Sequence, residues 1–176
     1  MIPALHMTLL AAVLALAVTG AGQTKSQSSV EPAKEARESD IREAVLRRLM
    51  RDWVQSADKS DAESKAQTER GIFFVSVNHK DPRDDFLKRF QNIPRTVKKI
   101  SASKISKGFP MAVVDKETQE RGIVFRADGI RWLGKTHVEV EGGYNCDGLC
   151  GAGFTFDVWL ENGEWIVKKQ KTNWVS

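Results

Sequence analysis

The stretch HVEVEGGYNCDGLCGAGFTFDVWLENGEWIVKK, residues 137–169, decides the fold. Turn pairs at Asp147-Gly148 and Asn162-Gly163 punctuate it, and between them the side chains alternate with period two, as in strands with one buried face. Setting Cys146 opposite Cys150 across Asp147-Gly148-Leu149 puts Tyr144 opposite Ala152 and Gly142 opposite Phe154. Val140 then faces Phe156 and Val138 faces Val158, so the apolar residues share one side. The opposite side collects His137, Glu139, Glu141 and Asn145 against Trp159, Asp157, Thr155 and Gly151. A slip of one residue would mix the two sets, so burial of one face specifies the register. Cysteines opposed at non-hydrogen-bonded positions lie roughly 4.5–5.5 Å apart at Cα, within reach of a disulfide. Beyond them, the Asn162-Gly163 turn pairs Val158 with Val167, Leu160 with Trp165, and Asp157 with Lys168.

Working upstream, turn signals at Lys107-Gly108, Lys116 to Glu120, Asp128-Gly129 and Gly134-Lys135 predict an antiparallel meander from Thr96 onward. GIFFVSV, residues 71–77, is short, aromatic and β-branched, and reads as a buried strand. A helix is expected just after it, with Asp81 as N-cap, Pro82 in the first turn and Phe86, Leu87 and Phe90 on its apolar face, ending before Ile93-Pro94. The first helix is expected over residues 40 to about 55. There Asp40 and Glu43 have capping-box spacing, and Ile41, Val45, Leu49 and Trp53 recur every four residues. Residues 57–70 are polar and carry no apolar stripe.

The chain's beginning predicts its compartment. Met7 to Val18 is almost unbroken apolar sequence followed by Thr19, Gly20, Ala21 and Gly22, which reads as a secretory signal peptide over residues 1–22, cleaved near Ala21, although Met1 to His6 lacks Lys and Arg. Such a run is short of the ~20 residues that a bilayer-spanning helix needs. Residues 23–38, rich in Ser, Gln, Lys and Glu, are expected as a disordered linker, leaving residues 39–176 as one α+β domain. Secreted or periplasmic location follows, and with it an oxidising setting for the two cysteines. The formal net charge of +4 is spread among interspersed acids and bases. Its densest basic segment, Arg95, Lys98, Lys99, Lys104 and Lys107, lacks aromatics on which bases could stack, so nucleic acid is not an expected partner.

Few residues point to chemistry. Cys146 and Cys150 are separated by three residues that include an acid, a setting that suits a structural staple better than a reactive thiol. Of the three histidines, His6 belongs to the signal; His79 ends a strand near Asp81, and His137 sits near Glu139 and Glu141 on the polar strand face. The spacing supports no metal site, and no cofactor is expected. Nucleophile-elbow, P-loop, zincin and dinucleotide-binding motifs are absent. Trp53, Trp132 and Trp165 fall on core faces; Trp159, beside His137 and Ile166, can form an exposed aromatic patch, and Trp174 also falls outside the expected core.

A long helix, an accessory helix and a curved antiparallel sheet with C-terminal hairpins resembles the cystatin-like and nuclear transport factor 2-like cone. The ending GGYNCDGLCGAGFTFDVWLENGEWIVKKQKTNWVS also resembles that of small exported bacterial proteins of unknown function. The resemblance implies a fold with a cone-shaped pocket and no transferable catalytic residue; the QxVxG loop of protease-inhibiting cystatins is absent. The expected function is an exported, non-enzymatic binding domain for a small ligand or protein, with a homodimer as one form. One alternative is a small enzyme with His79, Asp81 or Tyr144 lining the pocket; another is an envelope protein that binds acidic polymer through residues 95–107.

Overall fold

The computed structural model describes residues 30–58, 71–107 and 111–176, so the expected signal peptide, the start of the linker and the polar stretch after the first helix lie outside the described residues. A long helix, α1 (Val30–Asp58), precedes strand β1 (Ile72–Val77), a short helix α2 (Asp84–Lys88) and β2 (Thr96–Lys99). A 3-10 turn (Ile100–Ala102) leads to β3 (Ser103–Ile105), β4 (Val113–Asp115), β5 (Gly122–Trp132), β6 (His137–Asp147), β7 (Cys150–Glu161) and β8 (Glu164–Val175). The main sheet has the order β2-β1-β5-β6-β7-β8 and does not close on itself; β3 and β4 form a separate two-stranded sheet. The main sheet curves around α1, which touches β5, β6 and β8.

Apolar periodicity explains the docking. Ile41, Val45, Leu46, Leu49 and Met50 of α1 are buried against Phe73, Val75, Phe125, Val140, Phe156 and Val158 of the sheet. The aromatics interlock edge to face, Phe73 with Phe125 at 5.0 Å and Trp53 with Tyr144 at 5.1 Å between ring centroids. Strand β1 is buried on both sides: Ile72 and Phe74 pack with Val113 of β4 in a second, smaller cluster on the outer face. That cover, together with the parallel pairing of β1, accounts for its continuous apolar run.

Several expectations need correction. The sheet is antiparallel only from β5 to β8, since β1 runs parallel to both β2 and β5. The α2 segment returns the chain to β1 as a crossover, and local periodicity does not report strand direction. Helix α1 begins at Val30, so residues 30–38 are helical where a disordered linker was expected. Charge and ring contacts hold that turn: Arg37 lies 4.8 Å over Trp132 and 6.0 Å from Trp165, donates to the Lys135 carbonyl, and Arg42 pairs with Glu38 at 3.1 Å. Asp40 therefore caps nothing and binds Arg89 at 2.6 Å. The second helix is only Asp84–Lys88, with Arg83 at the N-cap position making no side-chain cap, while the Asp81 carboxylate accepts from the Ser101 amide at 2.8 Å. Asp128-Gly129 is a bulge within continuous β5, the other use to which a strand puts glycine.

The register of the final hairpins follows the residue-by-residue expectation from Val138↔Val158 to Asn145↔Gly151. At the tip, however, Asp147 pairs with Cys150 and Cys146 is a bulge, so the connection is Gly148-Leu149. The cysteine sulfurs are still within bonding distance, with Cα atoms 5.3 Å apart. Turn residues Asn162 (φ 51°) and Gly163 (φ 86°) both adopt left-handed backbone, the geometry that lets a two-residue loop follow strand twist. A second bulge makes Lys169, in place of Lys168, the partner of Asp157. Lys168 instead reaches Glu161 at 2.6 Å.

Candidate functional site

The chemistry-bearing side chains occupy separate regions. His79 and Asp81 belong to the β1–α2 connection, Tyr144 to the inner sheet face, and His137 with Trp159 to the outer face. Asn78 and His79 form a tight turn between Val77 and Lys80, whose backbones exchange hydrogen bonds at 2.9 and 3.0 Å. Both turn residues have positive φ, 50° and 61°, a conformation that Asn tolerates better than His. The nearly buried Asp128 braces the turn, accepting from the His79 amide at 3.3 Å and from Arg126 Nη1 at 2.7 Å. With its amide oriented to satisfy both ends, Asn78 donates to the Asp128 carbonyl at 3.1 Å and accepts from Arg42 at 3.2 Å. The His79 ring itself is 77% exposed and 3.8 Å from Asp128, too far for a hydrogen bond.

Between this turn and α1 lies a cleft of about 260 Å³, with Ser39, Arg42, Asn78, Asp81, Arg83 and Phe86 among its walls. Its charged groups are occupied by one another: Arg83 binds Glu35 and Asp85, and Arg42 binds Glu38. The Ser101 hydrogen bond holds the Asp81 carboxyl below its usual range, opposed by partial burial. An acid so held is an anchor for the loop, poorly suited to proton transfer near neutral pH.

On the inner face Tyr144 meets Trp53 of α1 and Phe154 of β7, and burial pushes its phenol above the usual range. The Trp53 indole Nε1 is buried without a hydrogen-bond partner among the described residues. Cys146 is fully buried nearby on the same face, and Cys150 is partly exposed. With Asp147 their possible ligand atoms lie within 4.8 Å of one another, but two sulfurs bonded to each other offer no thiolate to a metal.

The outer face carries the most organised cluster. His137 and Trp159 are cross-strand neighbours whose rings stack at 3.8 Å with a 17° interplanar angle. Asp157 accepts from Trp159 Nε1 at 3.1 Å and is hydrogen-bonded to His137 Nε2, so one carboxylate orients both rings. Partial burial raises the Asp157 carboxyl, but the two hydrogen bonds together with the charges of His137 and Lys169 outweigh it and hold the group below its usual range. Ile166, opposite Trp159 on β8, is 37% exposed like its neighbour. Farther along, Trp174 lies across Gly153, where an added Cβ would stand 2.1 Å from the indole nitrogen, and Arg126 reaches over its ring at 5.8 Å. A groove of about 380 Å³ borders the cluster, with Arg131, Glu139, Glu141 and Thr155 in its walls.

The sequence singled out Trp159 and His137, and the register sets them together. It missed the cluster around Asp128, whose members come from three elements, and it set Trp174 outside the core, where the ring is 42% exposed, without joining it to the outer face. Ile166 and Trp174 are separated by an even number of positions, so plain alternation and the β7–β8 pairing agree in setting both on the outer side, the two bulges cancelling each other. Comparison with protein-family models, curated proteins and solved structures finds no match to this chain. No helix among the described residues is long and apolar enough to cross a membrane.

Proposed function

We propose that this chain is an exported, non-enzymatic binding domain that engages its partner on the outer sheet face around Trp159. The observation that carries this reading is the separation of the acid/base candidates from one another, beside an outer-face cluster whose rings one carboxylate holds in place. His79 points to solvent, Asp81 is an anchor and Tyr144 lies among apolar rings, so among the described residues these candidates do not converge as nucleophile, base and stabilising donor. A stacked Trp beside an exposed Ile offers rigid apolar area with little side-chain entropy left to lose. Export is supported by the apolar N-terminal run and by the paired cysteines, which an oxidising compartment permits.

One observation favours a second reading, a nuclear transport factor 2-like ligand or enzyme pocket on the inner face: the partnerless Trp53 Nε1 beside Tyr144 would suit a ligand oxygen. The acidic-polymer reading loses support, because Lys98 is held by Asp115 at 2.8 Å and Lys99 by Asp84 at 2.6 Å. The test is a screen of small-molecule fragments and short peptides against ¹⁵N-labelled protein. Shifts clustering at His137, Trp159 and Ile166, lost in Trp159→Ala and kept in His79→Ala, are expected. Shifts clustering instead at Trp53 and Tyr144, and abolished by Tyr144→Phe, would overturn the outer-face assignment.

A further inference from the structure

Strand β8 ends the main sheet, and among the described residues no strand pairs with its outer edge. From Lys168 to Val175 every residue is exposed, so this edge presents main-chain donors and acceptors to solvent over a long run. The pairing with β7 states which side chains share the outer face: Ile166 opposite Trp159, Lys169 opposite Asp157, Lys171 opposite Thr155 and Trp174 opposite Gly153. Along that face the edge therefore reads apolar, basic, basic, aromatic. Its ends are the exposed hydrophobic positions, Ile166 at 37% and Trp174 at 42%.

We infer that β8 accepts an extended acidic peptide as an added strand, with two carboxylates beside Lys169 and Lys171 and apolar side chains beside Ile166 and Trp174. This inference rests on the proposed binding role and names the partner's chemistry. Main-chain hydrogen bonds supply the affinity in strand addition, and alternate side chains supply the selection. The lysines also decide between occupants. Two-fold antiparallel pairing of β8 with a second copy, centred on residue 169 or 170, sets Lys169 against itself or against Lys171, and like charges directly opposed are destabilising. An acidic strand reverses the sign of that cross-strand contact. Because apolar and basic positions are arranged almost symmetrically along the strand, the peptide can enter in either direction.

The probe is a blocked peptide of sequence TVTETETVT, titrated into the full mature protein by calorimetry and by ¹⁵N NMR, with TVTKTKTVT as control. Saturable binding of the glutamate peptide is expected, with shifts in β8 backbone amides and in the Trp159 and Trp174 indoles. Lys169→Glu with Lys171→Glu should weaken that peptide at least tenfold and let the lysine peptide bind in its place. Equal binding of both peptides, loss of binding to both in the double variant, or no binding of either, would overturn the inference while leaving the outer-face patch to its own test. Indole shifts without β8 amide shifts would sink strand addition and still support the patch. Shifts of neither, with concentration-dependent dimerisation that perturbs β8, would assign the edge to a second copy instead.

Discussion

At the scale of single residues, the structure turns on a few polar atoms placed where water cannot reach them. Asp115 is fully buried and accepts from Lys98 and from the Glu117 and Thr118 amides, each at 2.8–2.9 Å. The Lys98 hydrogen bond leads in holding its carboxyl down to about 2. A carboxyl depressed in the folded state contributes stability above its unfolded value, near 3.8, and loses it as pH falls through the folded value. Stability to urea should therefore decline between pH ~4 and ~2, and Asp115→Asn should flatten that limb while lowering stability at pH 7. Glycines offer a second residue-scale test. A Cβ on Gly143 would stand 2.1 Å from the Ala152 carbonyl oxygen, whereas one on Gly153 would meet the exposed Trp174 ring. Gly143→Ala should destabilise the protein by about 1–3 kcal/mol in denaturant unfolding, and Gly153→Ala by less, with a change in Trp174 fluorescence. Equal losses would mean that Trp174 is not free to swing aside.

At the scale of elements, alternation and turn chemistry made the β6–β7 hairpin legible because one side of each strand is buried and any slip would expose apolar residues. The same rule could not foresee the bulges at Cys146, Asp128 and Lys168, since an inserted residue changes which face follows without changing composition. The helical extension to Val30 escaped for a different reason: it is fastened by the Arg37 contact with Trp132 and Trp165, which requires rings from β5 and β8 to meet at 5.8 Å. Arg37→Ala should fray residues 30–38, measured as faster amide exchange there, at a cost of about 0.5–2 kcal/mol. The paired cysteines close a short loop, so replacing both with Ser should lower stability by about 2 kcal/mol and leave the β6–β7 register intact. Mass spectrometry of the non-reduced protein should show no alkylated thiol, and two free thiols would remove the staple from the account.

For the whole molecule, the long helix occupies one side of the curved sheet and leaves the strand surface opposite it open beyond the β3–β4 cover. That division was visible in the sequence as two faces of unlike polarity, but the parallel half of the sheet and the identity of its edges depend on contacts distant along the chain. The site was legible only in part: Trp159 and His137 follow from register and Trp174 from its even spacing to Ile166, while the Asp128 cluster depends on three elements meeting. Trp53→Ala should cost about 3–5 kcal/mol, because the ring sits between α1 and the sheet aromatics. The central claim, an inner face sealed by α1 and an outer face open to partners, is tested most directly by paramagnetic broadening. With a soluble gadolinium probe, the indole N–H signals of Trp159 and Trp174 should broaden strongly and that of Trp53 should persist. Broadening of Trp53 equal to that of Trp159, or protection of Trp159, would contradict the account.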